Sequence, residues 1–155
     1  QLDFVQPERF GLTYTDEQGN AVRPIMLHSA TLGSLERFLS VFIEHTGGWF
    51  PFWIAPEQVR ILTINDQVMD YVREITDILD GTVLMSPVKY NEVRYSIDAR
   101  NESLGKKIRE ATAWKIPVQL IIGQKDAEAR EVSVRTQAGE EKIALDHLSD
   151  YLRGI

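Results

Sequence analysis

His28, Ser34 and Arg37 are the side chains whose types and spacing are best suited to chemistry. A histidine offers an imidazole nitrogen to a metal, and an arginine offers a planar fork of donors to phosphate or a flat face to a nucleobase. All three lie in the run Met26-Leu27-His28-Ser29-Ala30-Thr31-Leu32-Gly33-Ser34-Leu35-Glu36-Arg37-Phe38. Gly33-Ser34 reads as a turn and a helix cap, with the Ser34 hydroxyl accepting a backbone N–H bond from a helix spaced over Leu35 to His45. Arg37 then falls third in that helix, on the first turn, where backbone donors are unpaired and the partial positive charge of the helix end gathers. Such a corner suits a polyphosphate. The plainer alternative is a surface arginine paired with Glu36 or Glu44.

A second group lies near the carboxyl end of the chain. Val118-Gln119-Leu120-Ile121-Ile122 is nearly continuously apolar, as a central strand covered on both faces would be. The polar loop Gln124 to Arg130 follows, and then Val132-Ser133-Val134-Arg135-Thr136, whose alternation marks a half-exposed edge strand with Ser133 and Arg135 on one face. A loop beside such a face can present amide-like, carboxylate and guanidinium groups to unstacked bases, the way single-stranded RNA loops are read. Asn101 and Asp66 each precede a helix and read on their own as caps. His45 and His147 read as helix-end and surface residues, and Trp49, Phe50, Phe52 and Trp53 as packing aromatics rather than a stacking platform. No glycine-rich phosphate loop, paired histidines at metal spacing, or Ser or Cys nucleophile with a histidine partner is present.

These residues need elements to hold them. Apolar runs and turn signals predict strands at Leu2–Phe4, Gly11–Tyr14 and Arg23–Leu27, a hairpin turn over Asp16 to Asn20, and the helix from Leu35. Aromatic residues and prolines at 51–58 read as a linker between a part at 1–50 and a domain at 59–155. That domain is predicted as strand Val59–Ile64, helix Gln67–Leu79, variable strand material to Ile97, helix Leu104–Trp114, strands Val118–Ile122 and Val132–Arg135, and helix Leu145–Leu152. The class is α/β: a mixed, largely parallel sheet flanked by helices with an antiparallel hairpin at one side, preceded by an antiparallel strand-plus-helix piece. Residues 55–155 are long enough to bury a core of their own and the first fifty are not.

Composition narrows the function. With 43% hydrophobic and 26% charged residues and no apolar run near the roughly 18 residues of a membrane span, a soluble cytoplasmic protein is expected. The absence of cysteine excludes a disulfide scaffold. A formal net charge of −6 excludes a general nucleic-acid coat, which would be basic, while leaving room for a local RNA-binding face.

His28 followed by Gly33-Ser34-Leu35-Glu36-Arg37-Phe38 resembles motif 3 of the class II aminoacyl-tRNA synthetases, most closely the threonyl-tRNA synthetase family. Gln1-Leu2-Asp3-Phe4 with Pro7-Glu8-Arg9-Phe10 is similar to that family's strand after motif 2. Gly48-Trp49-Phe50-Pro51-Phe52-Trp53-Ile54-Ala55-Pro56-Glu57-Gln58-Val59 is similar to its junction into the anticodon-binding domain. The likeness covers essentially the whole chain. It departs at Ser29, where the family has arginine after the histidine, over Asp80 to Ser96, a segment longer and less typical than the short connection the family has there, and at Asp126, where glutamate is common.

The resemblance implies roles. His28 becomes one of three zinc ligands, Arg37 an ATP contact, Ser34 a neighbour of the substrates and Gln1 a substrate contact. Asn101, Asp126 and Arg135 become contacts to anticodon bases, and Asp66 a further one. The implied parent is a ligase that joins threonine to its tRNA through an ATP-derived threonyl-adenylate, with ATP and Mg2+ at the active site. Zn2+ would select threonine by its amino and hydroxyl groups, and the parent would be a homodimer. At 155 residues the chain is expected to be a carboxy-terminal fragment supplying motif 3 and anticodon recognition, inactive alone and without its own zinc. The alternative is a non-catalytic, synthetase-like tRNA- or RNA-binding accessory module.

Overall fold

Apolar residues divide the chain into a part that buries them and a part that does not. The computed structural model describes residues 1–84 and 91–155; Met85 to Tyr90, the middle of the segment expected to be atypical, lies outside them. The described residues form two units, Gln1–Phe42 and Ile43–Ile155. No helix among them is long and apolar enough to cross a membrane.

In the first unit only Pro7 is buried. Strand β1 (Leu2–Asp3) pairs antiparallel with β4 (Met26–Leu27), and β2 (Tyr14–Thr15) with β3 (Ala21–Val22). The strands are shorter than the apolar runs predict, and a helical turn, α1 (Gln6–Arg9), interrupts them. Asp3 causes the break: its Oδ1 accepts the Val5 and Gln6 N–H groups at 2.9 and 3.0 Å, and Pro7 follows in the first turn. The expected turn at Asp16 is present, with Asp16 Oδ1 accepting from Asn20 N at 2.7 Å. Helix α2 (Leu35–Thr46) straddles the boundary and buries no residue, although Phe38 and Phe42 stack one turn apart with centroids 5.6 Å from each other.

The second unit holds the core. Its elements are β5 (Val59–Thr63), α3 (Met69–Gly81), β6 (Val83–Leu84), β7 (Asn91–Glu92), β8 (Tyr95–Asp98), α4 (Leu104–Ala113), β9 (Val118–Ile122), α5 (Gln124–Ala129), β10 (Glu131–Arg135), β11 (Glu140–Ala144) and α6 (Leu148–Arg153). Five strands make one sheet in the order β11-β10-β9-β5-β8. β8, β5 and β9 run parallel, and β10 and β11 complete it as an antiparallel hairpin. Every residue of β9 is buried, as a parallel strand with neighbours on both sides and helices on both faces requires. On one face Val59, Ile61 and Leu120 meet the apolar stripe Tyr71, Val72, Ile75 and Leu79 of α3. On the other, Leu62 and Ile121 meet Ala111 of α4 and Ile116. The segment read as a linker packs into this unit, with Phe52 and Ala55 buried and the Phe52 carbonyl accepting from Gln58 Nε2 at 2.8 Å. Trp49 stacks under the Lys115 ammonium at 5.0 Å, in keeping with a packing role for that aromatic.

Two readings need correction. The polar stretch after β9 is helical, α5, and not a loop. β10 is not the edge strand: β11 is, and its Glu140-Glu141-Lys142 start hides it from an apolar pattern. Charges on an outer strand are how sheets discourage further pairing.

Candidate nucleic-acid interface

Three of the four residues assigned to base recognition follow the carboxyl ends of the three parallel strands. Asn101 lies just beyond β8, Asp66 just beyond β5, and Asp126 just beyond β9. In open α/β sheets ligands bind outside those ends, where neighbouring strands send their connections to different places. A pocket of about 590 Å³ opens there, lined by Ile64, Asn65, Gly123, Gln124, Lys125, Asp126, Glu128, Ser133 and Lys142.

Neither Asp66 nor Asn101 caps a helix, contrary to the plain sequence reading. Asn65 caps the turn Asp66–Val68, its side chain accepting from Gln67 N at 3.1 Å, and this leaves the Asp66 carboxylate exposed. Ser103 stands at the cap position of α4. Asn101 is exposed, and its side chain bonds to no described residue.

Asp126 differs from both. It is 7% exposed and engaged on both oxygens: Oδ2 accepts the Gly123 N–H at 3.0 Å, and Oδ1 accepts Ser133 Oγ at 3.2 Å and Lys142 Nζ at 2.9 Å. Burial pushes this carboxyl up, but Lys142, the Gly123 N–H and Ser133 outweigh it and hold the group below the usual carboxylate range. A Cβ at Gly123 would lie 2.8 Å from Cδ1 of the exposed Ile64 side chain, which can shift, and 3.3 Å from Asp126 Oδ2. Ser133, read as exposed, is buried under this cluster, its hydroxyl on Asp126 Oδ1 beside the Lys142 ammonium from the neighbouring strand.

Arg135 is on the same face of β10, two residues further from the pocket end and opposite Gln119 of β9. It pairs with Glu140 at 3.2 Å and remains partly exposed. Thus Asp66, Asn101 and Asp126 share one end of the sheet, and Arg135 stands inward of it along the strand.

The end is braced from below. Lys107 of α4, 1% exposed, donates from Nζ to the Thr63 carbonyl at 2.8 Å and the Asp98 carbonyl at 3.1 Å, tying β5 to β8. Asp98 in turn holds Arg100 at 2.7 Å, and Arg100 reaches Glu110 at 2.5 Å. The Arg100 hydrogen bond, opposed by burial, keeps the Asp98 carboxyl below its ordinary range. Pattern reading missed Lys107 and Lys142. A lysine amid the apolar positions of α4 was the available signal for the first, and recognition of β11 would have placed the second opposite Ser133.

The β1–β4 pairing brings Gln1 to His28: the Gln1 amino group donates to the His28 carbonyl at 3.0 Å, and His28 N donates back at 2.9 Å. His28 has a side-chain partner in the first unit: its Nε2 lies 2.9 Å from Asp3 Oδ2. Backbone N–H donation from Gln6 and the bond to His28 hold the Asp3 carboxyl below its usual range. Among the described residues no three His, Cys, Asp or Glu side chains converge, so His28 and Asp3 do not by themselves make a zinc site, which takes three protein ligands. Ser34 caps α2 as its position predicts, accepting from Arg37 N at 3.2 Å. The Arg37 guanidinium makes no ion pair with a described residue, which rules against the pairing with Glu36 or Glu44.

A family model described as the anticodon binding domain matches residues 58–155. The threonine–tRNA ligase of Prosthecochloris aestuarii is 47% identical over 135 residues, covering 87% of this chain and 19% of its own length. That of Fusobacterium nucleatum is 43% identical over 155 residues, covering 98% of this chain and 24% of its own. The chain therefore spans about a fifth to a quarter of these relatives. The structure of the RNA binding domain of threonyl-tRNA synthetase from Cryptosporidium parvum superposes with a TM-score of 0.83 at 33% identity, covering 99% of this chain and 38% of that one. Prolyl-tRNA synthetase from the same organism shares the fold, with a TM-score of 0.69 at 21% identity over 96% of this chain and 30% of its own.

Proposed function

The chain belongs to the anticodon binding domain family over residues 58–155, and from that we propose that it reads the anticodon of a threonine-accepting tRNA as part of a threonine–tRNA ligase. One observation carries the reading: Asn101, Asp66 and Asp126, assigned to bases by resemblance, follow three neighbouring parallel strands at the same end of one sheet. Exposed acceptors and donors around a pocket there suit the edges of bases splayed out of a loop. Arg135 extends the row along β10.

In the same reading Arg37, Ser34 and Gln1 belong to the ligase's substrate site. Arg37 is free to meet ATP phosphate accompanied by Mg2+, and the capped first turn of α2 adds its positive end. His28 gives one zinc ligand, oriented by Asp3 in the manner of a carboxylate behind a ligating imidazole. When bound, zinc selects threonine over an apolar isostere through its hydroxyl. The ligands it lacks here come from the rest of the enzyme, a cytoplasmic homodimer, and the present chain performs no ligation alone.

The test is binding of the chain to the threonine-tRNA anticodon stem-loop and to the same stem-loop with its anticodon bases exchanged, at two salt concentrations. Preference for the threonine anticodon, lost in Arg135→Ala, supports the reading. Equal binding to both loops refutes it.

A further inference from the structure

We infer that Lys142 is a specificity-determining residue of the anticodon-reading end: it fixes the Asp126 carboxylate in place and presents its own ammonium to the acceptor edge of a base. This rests on the function proposed above.

The carboxylate assigned to a base is the one least able to reach it. The Asp126 side chain is 10% exposed, and three protein donors already occupy it, whereas the Lys142 side chain beside it is 57% exposed. A carboxylate has about four acceptor positions, so the three donors from Gly123, Ser133 and Lys142 fix its plane and leave about one. An ammonium has three N–H donors. Lys142 uses one on Asp126, and Glu131 at 3.8 Å is too far for a hydrogen bond, so the remaining donors stay available on a largely exposed side chain that lines the pocket. The register places this lysine: Lys142 stands opposite Ser133, so both approach the same Asp126 oxygen from adjacent strands. The pairing also answers a charge problem. In a chain of net charge −6, an unaccompanied carboxylate at the pocket would repel RNA, and the ammonium offsets that charge.

The experiment measures the affinity of the 155-residue chain, wild type, Lys142→Met, Lys142→Arg and Asp126→Asn, for the threonine anticodon stem-loop and for loops with one base exchanged. Expected for Lys142→Met is a loss of about tenfold or more on the threonine loop, with little change on one exchanged loop, so that discrimination at that base collapses. Lys142→Arg retains part of the discrimination, and Asp126→Asn erases it at the same base. A loss in Lys142→Met that is uniform across loops, with the salt slope reduced by about one, marks a phosphate contact and overturns the inference. So does unchanged discrimination in a folded Lys142→Met. If the wild-type chain prefers no loop, the anticodon reading itself fails and takes this inference with it, a result distinct from either.

Discussion

Replacing Asp126 with asparagine keeps the side chain's size and removes its charge and part of its accepting capacity, which allows the cost to be worked from the contacts. With the amide oxygen toward Gly123, the 3.0 Å bond survives and the NH2 group faces Ser133 and Lys142. The Ser133 hydroxyl can turn to accept, and the largely exposed Lys142 turns to water, so the loss is that of a partly exposed ion pair, about 0–1 kcal/mol. With the amide flipped, the Gly123 N–H faces a donor, which costs about 1–3 kcal/mol. The cheaper orientation prevails, and Asp126→Asn is expected to destabilise the second unit by about 1 kcal/mol at pH 7. Asp126→Ala, with no acceptor in either orientation, is expected to cost about 2–3 kcal/mol. Urea unfolding followed by circular dichroism measures both, and amide exchange at Gly123 should accelerate only in the alanine variant. The charge adds a pH signature. A carboxyl held below its unfolded value contributes stability that is present above about pH 3.9 and lost as pH falls through the folded value, so the gap between wild type and Asp126→Asn should narrow on acidification. An asparagine variant costing as much as alanine, or a gap that persists in acid, would refute this account.

Other measurements bear on the two units separately. Leu120→Ala, at a fully buried position of the central strand, should cost about 2–5 kcal/mol in urea unfolding, whereas Leu39→Ala on α2 should change it by about 0.5 kcal/mol or less. Ser34→Ala should weaken the start of α2 by about 1 kcal/mol, read as faster exchange of the Arg37 amide. Amides of β1 and β4 should exchange well before those of β9, and equal protection would contradict the lack of a core around them. Burial pushes the Tyr71 and Tyr151 hydroxyls up to about 12, Tyr151 also donating to Glu141. Groups raised in this way contribute stability that is intact below the ordinary tyrosine value near 10 and lost as pH climbs toward 12, so unfolding should become easier over that window and phenolate absorbance should titrate late.

Sequence pattern revealed the elements whose apolar spacing is dictated by burial. Helix α3, with Tyr71, Val72, Ile75 and Leu79 on one stripe, and the uniformly buried β9 are legible because a single environment acts on the whole element. β11 is not, because an edge strand with Glu140, Glu141 and Lys142 is held by its partner's backbone rather than by its own side chains. α5 escaped for a similar reason: four polar residues and two alanines, with no large apolar side chain, form a helix there, and Asp126 folds back onto the Gly123 N–H. At the site, resemblance supplied Asn101, Asp66, Asp126 and Arg135, but no periodicity could show that Asp126 lies beneath a lysine from a strand 16 residues on. In the first unit the helix cap at Ser34 was readable from local chemistry, while the Asp3–His28 bond spans 25 residues and needed the β1–β4 pairing to be known.

The register of β10 also sets a length scale. Ser133, which anchors Asp126, and Arg135 are two residues apart on one face, so by strand rise they are spaced about 6.6 Å. Neighbouring nucleotides in a stacked strand rise only about 3.4 Å. On the reading proposed above, consecutive bases can meet the Lys142 ammonium, which lies opposite buried Ser133, and Arg135 only if they have been drawn to about twice their stacked separation. On that reading the pleat of one strand would act as a ruler that disfavours helical nucleic acid and admits a loop whose bases already stand apart, before any hydrogen bond distinguishes one base from another.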